Sequence, residues 1–139
     1  MKNKFKLNIL IIFFYLIFLA NSTSDEFIFD TSEINISKEG NIIEATDGTV
    51  TTAEGNFIIK AKKFYYDKEK LILEASDKVE INDSKNNILI KSNFIAYNNK
   101  KRSISSNKKS TIEDGFGNIF FIENFLYTLD DKLIKLGKI

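Results

Sequence analysis

The sequence predicts an all-β fold built from short antiparallel strands stacked in repeats, and three observations lead to this prediction. The unit at 56–83 recurs about every 31 residues, so the chain repeats itself about four times. Apolar and polar residues alternate with a period of two, as at 33–37 and 78–82, which is typical of strands with one solvated face. Turn-forming Gly, Asn and Asp recur at short intervals and proline is absent.

The first residues of the chain predict a secretory signal peptide. Three lysines form a positive head, an apolar run extends to Ala20, and Ala20 and Ser22 suit a small-residue cleavage site. The alternative is an uncleaved membrane anchor, although the apolar run is shorter than the roughly 20 residues that a spanning helix needs. We therefore expect a signal peptide at 1–22 and a mature domain at 23–139.

The composition argues against several kinds of function. The chain has no cysteine and no histidine, so it cannot build thiol nucleophiles, histidine-based triads, or nitrogen and sulfur metal sites. Removal of the predicted leader lowers the count of basic residues from 20 to 17, against 19 acidic residues. That near-neutral charge does not favour a nucleic-acid partner. We predict a protein that is not an enzyme and that uses no cofactor or metal.

The predicted strands contain a repeated corner. Within 27–36, 57–66 and 88–97 the apolar positions shift by one residue halfway along the segment. A shift of one residue turns the later side chains to the opposite face unless the strand bends or bulges there. We therefore expect the same corner in each repeat.

Paired turn residues separate the predicted strands. Gly40–Asn41, Asp47–Gly48 and Gly55–Asn56 precede apolar segments, and a polar loop at 84–87 precedes the third repeat. Such residues adopt the positive φ angles of tight hairpins. Strands at this spacing predict a sandwich, a barrel or a coil.

The C-terminal part is the most basic and the most aromatic region of the predicted domain. Residues 98–103 read NNKKRS and are followed by Lys108 and Lys109. We expect a solvated turn whose lysines protect the sheet; the alternative is a group of cations that meets an anionic lipid. The chain stops at Ile139 without the polar cap that stacked repeats need, so we expect a partner chain at this end or a truncation at the C-terminus.

The amino-acid sequences of the repeats resemble those of a known protein family. IKAKKFYYDKEKLILEASDKVEIND at 59–83, IIEATDGTV at 42–50 and ILIKSNFIAY at 88–97 resemble the OstA-like domain of the lipopolysaccharide transport proteins LptA, LptC and LptD. The resemblance covers about 27–128. It implies a solenoid-like β-jellyroll, V-shaped in section, that binds the acyl chains of lipopolysaccharide in an apolar groove in the periplasm. It also implies two kinds of protein partner: other jellyroll Lpt proteins, which join by edge-strand pairing, and the outer-membrane machinery.

Within that family, the stretch FIFDTSEINISKEGNIIEATDG after the predicted leader looks most like the amino-terminal domain of LptD. Alternatives are a soluble, LptA-like periplasmic bridge and a structural β-solenoid that polymerises without lipid. A solenoid should pack solid, whereas a carrier should leave an apolar cleft that solvent can reach. The predicted lipid-binding lining consists of the inward apolar positions of the central repeats, namely Phe57, Ile59, Phe64, Tyr66, Leu71, Leu73, Val79, Ile81, Ile88, Ile90, Ile95 and Tyr97.

Overall fold

The computed structural model describes residues 27–137 and forms one antiparallel sheet of 10 strands. The predicted signal peptide lies outside the described residues. Within the described part, no helix is long and apolar enough to cross a membrane. The elements are β1 (Phe27–Ser37), a 3-10 turn (Lys38–Gly40), β2 (Ile42–Thr52), β3 (Phe57–Asp67), β4 (Ile72–Asp83), β5 (Ile88–Asn98), β6 (Ser103–Ser106), β7 (Ser110–Glu113), β8 (Ile119–Ile122), β9 (Phe125–Thr128) and β10 (Leu133–Leu136).

Each of the first two sequence repeats corresponds to one β-hairpin. β1 pairs with β2 and β3 pairs with β4, and each hairpin then pairs with the next one along the chain. The period near 31 arises because two strands of 11 or 12 residues and their turns fill one repeat. The all-β fold predicted from the alternation and the repeats is confirmed.

A corner divides the sheet into two half-sheets. The register shifts by one residue between Lys60 and Lys63 of β3, and again between Ser76 and Val79 of β4. β5 then pairs with β7 before the corner and with β6 after it. Half-sheet A contains 27–31, 48–52, 57–61, 79–83, 88–92, β7 and β8. Half-sheet B contains 33–37, 42–46, 63–67, 72–76, 94–98, β6, β9 and β10.

The predicted shift in apolar parity marks this corner. In β3, the buried positions run through Phe57, Ile59 and Ala61, and resume at Phe64 and Tyr66. Because the strand changes direction between Ala61 and Phe64, both sets of side chains face the same interior. The corner therefore keeps one apolar face inward on both half-sheets.

The Asp47–Gly48 pair makes a corner inside β2 instead of the expected hairpin turn. Asp47 has a φ of 49°, and the strand continues through it to Thr52. A Cβ atom on Gly48 would collide with the carbonyl oxygen of Asp30 and lie 2.6 Å from the Cα of Thr31. Glycine is required here because the backbone of the neighbouring strand β1 lies too close to leave room for a side chain.

Buried hydroxyl groups form the corner farther along the sheet. Ser110 Oγ donates to Ser92 Oγ at 2.9 Å, and the oxygens of Ser92 and Ser106 are 3.2 Å apart. Ser106 Oγ also donates to the carbonyl of Phe94 at 2.7 Å and accepts from the backbone N–H of Lys108 at 3.1 Å. These serines satisfy backbone groups that lose their ladder partners where the strands turn.

Candidate lipid-binding site

The interior between the two half-sheets collects most of the predicted lining residues. All of them except Leu71 and Ile88 are buried members of one apolar cluster. Ile88 is half-buried and packs against that cluster. Leu71 lies outside the cluster, in the turn before β4, where its φ of 57° removes it from the alternation of the strand. Eleven of the twelve predicted residues therefore share one interior; whether they bind lipid stays a prediction.

The cluster is larger than the predicted lining. Phe27 and Val50 extend it in half-sheet A, and Ile104, Phe125 and Tyr127 extend it in half-sheet B. In β9 buried residues alternate with half-buried ones, which was a usable signal, whereas β6 buries three of its four residues. These residues were missed because the lining was predicted only from the central repeats.

Aromatic side chains join the two half-sheets across the interior. The ring of Phe27 in half-sheet A lies edge-on to Tyr66 and Tyr97 of half-sheet B, with centroids 4.9 and 5.3 Å apart. Phe57 meets Tyr97 in the same way at 6.4 Å. Edge-to-face contacts of this kind add about 1 kcal/mol each beyond the burial of the rings.

The centre of the interior is tightly packed. Ile59, Leu73 and Ile81 have no solvent-exposed surface, and Ile90 is 1% exposed. In this form the described core is solid, which is what the solenoid alternative predicted. Apolar surface emerges at the two ends of the stack, where Phe29 of β1 and Ile122 and Ile134 at the opposite end are only partly buried against the cluster.

A buried polar group ties the half-sheets together inside the fold. Tyr127 of β9 donates its hydroxyl to Asp83 Oδ2 at 2.7 Å, although the two residues are 44 positions apart. The Asn86 side chain donates to both, at 3.0 Å to the Tyr127 oxygen and 2.8 Å to Asp83 Oδ2. Burial and the hydrogen bond to Asp83 raise the pKa of Tyr127 above its ordinary value. The neutral phenol is therefore the stable form.

The side of the fold opposite the corner, which we call the mouth, is bridged by ion pairs. Arg102, in the turn between β5 and β6, donates its Nε to Asp130 at 2.7 Å. Its Nη2 lies 3.9 Å from Glu54, in the turn between β2 and β3. Because Glu54 belongs to the turn of half-sheet A and Arg102 to that of half-sheet B, the pair closes the mouth. Glu54 is largely exposed and Arg102 is partly exposed, so the closure is weak.

A groove of about 720 Å³ lies beside the corner, on the face that points away from the core. Glu44, Lys63, Tyr65 and Glu74 line it from the solvated side of half-sheet B. Of the predicted lining residues, Phe64 alone borders this groove, so the groove is not the predicted site. In the described residues, no group of three acidic side chains is arranged to hold a metal ion.

The edges of the sheet are free to pair. Within residues 27–137, β1 pairs only with β2, β8 only with β7, and β10 only with β9. On β1, the side chains of Ile34 and Ile36 face the same side as the buried Ala45 and Ile43, yet they are 53% and 58% exposed. An exposed apolar edge of this length is a template for strand addition.

Comparisons with known proteins support the fold. No protein-family model matches the sequence, and no curated protein matches it. Among solved structures, the chain is similar to LptH of Pseudomonas aeruginosa, described as the LptA homologous periplasmic component of the conserved lipopolysaccharide transport device. The two share 13% sequence identity with a TM-score of 0.66, over 81% of this chain and 82% of LptH. The β-jellyroll architecture predicted for this chain is confirmed by this likeness.

Proposed function

We propose that this chain is a periplasmic component of lipopolysaccharide transport and holds the acyl chains of the lipid between its two half-sheets. The likeness of its fold to LptH supports the proposal. The observation that carries it is the contiguous apolar cluster, which extends through the stack and becomes partly exposed at both ends, at Phe29 and at Ile122 and Ile134. An apolar interior that opens at both ends suits an extended apolar ligand that passes from one jellyroll to the next.

Entry of an acyl chain requires the half-sheets to move apart. Each methylene of an acyl chain that leaves water contributes about 0.8 kcal/mol. This gain offsets the loss of contacts between core side chains that the lipid replaces. The mouth is the side that opens with least cost, because the Arg102–Glu54 pair is exposed. The hydrogen bond between Tyr127 and Asp83 is buried and must break or rearrange as well. The corner acts as the hinge because the strands run continuously through it.

Within lipopolysaccharide transport, we propose more specifically that the chain is an LptD-like amino-terminal domain associated with the outer membrane. Its support is the resemblance of the stretch that begins at Phe27 to that domain. In this proposal, other jellyroll Lpt proteins add strands to the free edges at β1 and at β8 and β10. An LptA-like bridge would use the same interior and the same edges.

A structural β-solenoid without lipid is the second candidate function. The solid core favours it, since Ile59, Leu73 and Ile81 leave no cleft at the centre. It shares the repeats and the free edges with the carrier. The two candidates differ in whether lipopolysaccharide contacts the interior.

Photo-crosslinking in cells distinguishes them. A photoreactive residue replaces Ile59, Leu73 or Ile90 in turn, and Lys60 is the matched control because it neighbours Ile59 in β3 and faces solvent. We expect lipopolysaccharide adducts at the three interior positions and none at Lys60. Because each substitution enlarges a packed position, export and resistance to proteolysis are measured for every variant.

Folded, exported variants without adducts at any interior position would overturn the carrier proposal and leave the solenoid. Adducts at Lys60 alone would place the lipid on the outer face and would also contradict the proposed lining. A pairwise crosslink between β1 of this chain and another jellyroll protein tests the edge assignment separately.

A further inference from the structure

The groove beside the corner, which we call the outer groove, is a concave surface that the proposed function does not use. Its volume is about 720 Å³. Tyr65 lines it and lies between Glu44 on β2 and Glu74 on β4, which are its direct cross-strand neighbours. Phe94 lines it as well, and both aromatic residues are half-buried. The outer groove therefore combines an aromatic surface with carboxylates on both sides of it.

The carboxylates of the outer groove are unpaired. Glu33, Glu44 and Glu74 are exposed, and none of the three forms an ion pair with the described residues. Among the described residues that line the groove, Lys63 is the only cation, and it is paired with Asp77 at 3.0 Å. The lining keeps an excess of negative charge, which suits a positively charged occupant.

The turn between β5 and β6 presents the opposite charge. Lys100 and Lys101 are exposed there, and neither forms an ion pair with the described residues. The backbone of the turn is fixed, because Lys101 donates its N–H to the Asn98 side chain at 2.9 Å and Arg102 donates its N–H to the Asn99 carbonyl at 3.1 Å. A preorganised turn loses little conformational entropy when it binds.

The carboxylates around this turn do not cancel its charge. Asp130 is paired with Arg102 at 2.7 Å, and Glu54 lies 3.9 Å from the same guanidinium group. Asp131 is followed directly by Lys132. The two unpaired lysines of the turn therefore leave this region with an excess of positive charge.

The turn and the outer groove lie apart within one chain. The groove is beside the corner, whereas the turn is at the mouth, and the segment 94–98 of β5 separates them. Five residues of strand extend about 13 Å, at about 3.3 Å per residue. No ion pair joins the two features within the described residues. Two chains can bring them together.

From these observations we propose that the β5–β6 turn of one copy of this chain docks in the outer groove of a second copy, with Lys100 and Lys101 among the glutamates. The ammonium groups pair with the carboxylates and lie against the Tyr65 ring, which adds a cation–π contact to charge-assisted hydrogen bonds. A second copy is favoured over another basic protein because the same chain carries the matching turn.

The proposed contact fits a symmetric assembly. Because every copy has one turn and one outer groove, the contact is reciprocal in a closed dimer or repeats in an open chain. It uses none of the free edges at β1, β8 and β10, and it does not depend on lipid binding in the interior.

Charge exchange tests the proposal in the chain without its predicted leader. Lys100→Glu with Lys101→Glu reverses the turn, and Glu44→Lys with Glu74→Lys reverses the groove. Sedimentation equilibrium should show reversible association of the unmodified chain that weakens between about 0.1 M and about 1 M salt. Each reversal should weaken the association about tenfold or more. An equimolar mixture of the two variants, or a chain with all four substitutions, should associate again because opposite charges then meet.

Lys108→Glu with Lys109→Glu is the matched control, since it makes the same charge change at two exposed lysines outside the turn and the outer groove. It should leave the association unchanged, and circular dichroism verifies that each variant is folded. A chain that stays monomeric at millimolar concentration would overturn the proposal. Association that neither reversal weakens would also overturn it and would assign the contact to the free edges. Failure of both the mixture and the fourfold variant to associate would contradict the pairing of turn with groove.

Discussion

The two ends of the stack are built differently, although the same repeat generates both. At the amino-terminal end, β1 is one 11-residue strand that passes through the corner and borders both half-sheets. At the opposite end, two separate four-residue strands do this, β8 in half-sheet A and β10 in half-sheet B. In β1 and β2 a close backbone contact at Gly48 holds the corner, whereas toward the carboxyl end the chain breaks there and serines satisfy the freed groups.

The comparison shows that a corner within a continuous strand requires room for the neighbouring backbone. A corner at which the strand is interrupted requires side-chain hydrogen bonds. A long edge strand presents one template for pairing, while two short edges present two templates that can move separately. The amino-terminal end should therefore be the more rigid docking edge. The predictions below test this difference, from the largest expected effect to the smallest.

Substitution of Gly48 should be the most disruptive change. In Gly48→Ala the new methyl group meets the β1 backbone at Asp30 and Thr31, and backbone cannot rotate aside, so we expect a loss of about 3 kcal/mol in the free energy of unfolding. Gly55→Ala is the matched control, because no atom lies within 4 Å of its added methyl group and only its φ of 72° disfavours alanine. That substitution should cost about 1 kcal/mol. Urea denaturation measures both, and equal losses would contradict the comparison.

Removal of the Tyr127 hydroxyl should have the next largest effect. Tyr127→Phe deprives Asp83 of one buried donor, so we expect a loss of about 2 kcal/mol, measured by urea denaturation at pH 7. The raised pKa of Tyr127 predicts a pH dependence too. Its contribution is complete below the ordinary tyrosine pKa of 10.0 and declines above it, because the unfolded chain then loses the proton that the folded chain keeps. Stability that falls equally steeply above pH 10 in the variant would count against this explanation.

The broken corner is tested by Ser106→Ala. The variant removes the Ser106 donor to the Phe94 carbonyl, which still accepts from Ser92 Oγ at 2.9 Å, and leaves the Lys108 N–H without its hydroxyl partner. We expect a loss of about 1 kcal/mol. Hydrogen exchange should show faster exchange near the start of β7 and unchanged protection in β2 and β3. Ser105→Ala is the control, since Ser105 is the adjacent, partly exposed serine of the same strand. Faster exchange throughout the sheet would mean that the two corners are not independent.

The smallest effect is expected at the mouth. Arg102→Gln removes exposed ion pairs with Glu54 and Asp130 and should cost about 0.5 kcal/mol at low salt, with the difference disappearing in high salt. Thermal unfolding at two salt concentrations measures it. A large, salt-independent loss would show that Arg102 acts through packing and not through charge.

Much of the fold could be predicted from the sequence because its signals are local and repeated. The alternation in β3 and β5 identified the interior side chains, and the shift of parity between Ala61 and Phe64 identified the corner. The turn residues were less informative. Asp47–Gly48 has the composition of a hairpin turn, but β2 continues through it with a bend, and the backbone of β1 packs closely against Gly48.

At the candidate site, too, some features follow from the local sequence pattern and others from contacts between residues that are far apart in the chain. The amino-acid sequence by itself determined which side chains are inward, since a period of two assigns faces whatever the strands pair with. Only the tertiary structure decided that Tyr127 meets Asp83, that Arg102 closes the mouth, and that Ile34 and Ile36 stay exposed on an inward-facing edge. These outcomes depend on which strands are neighbours and which strand comes last, and no short stretch of sequence carries that information.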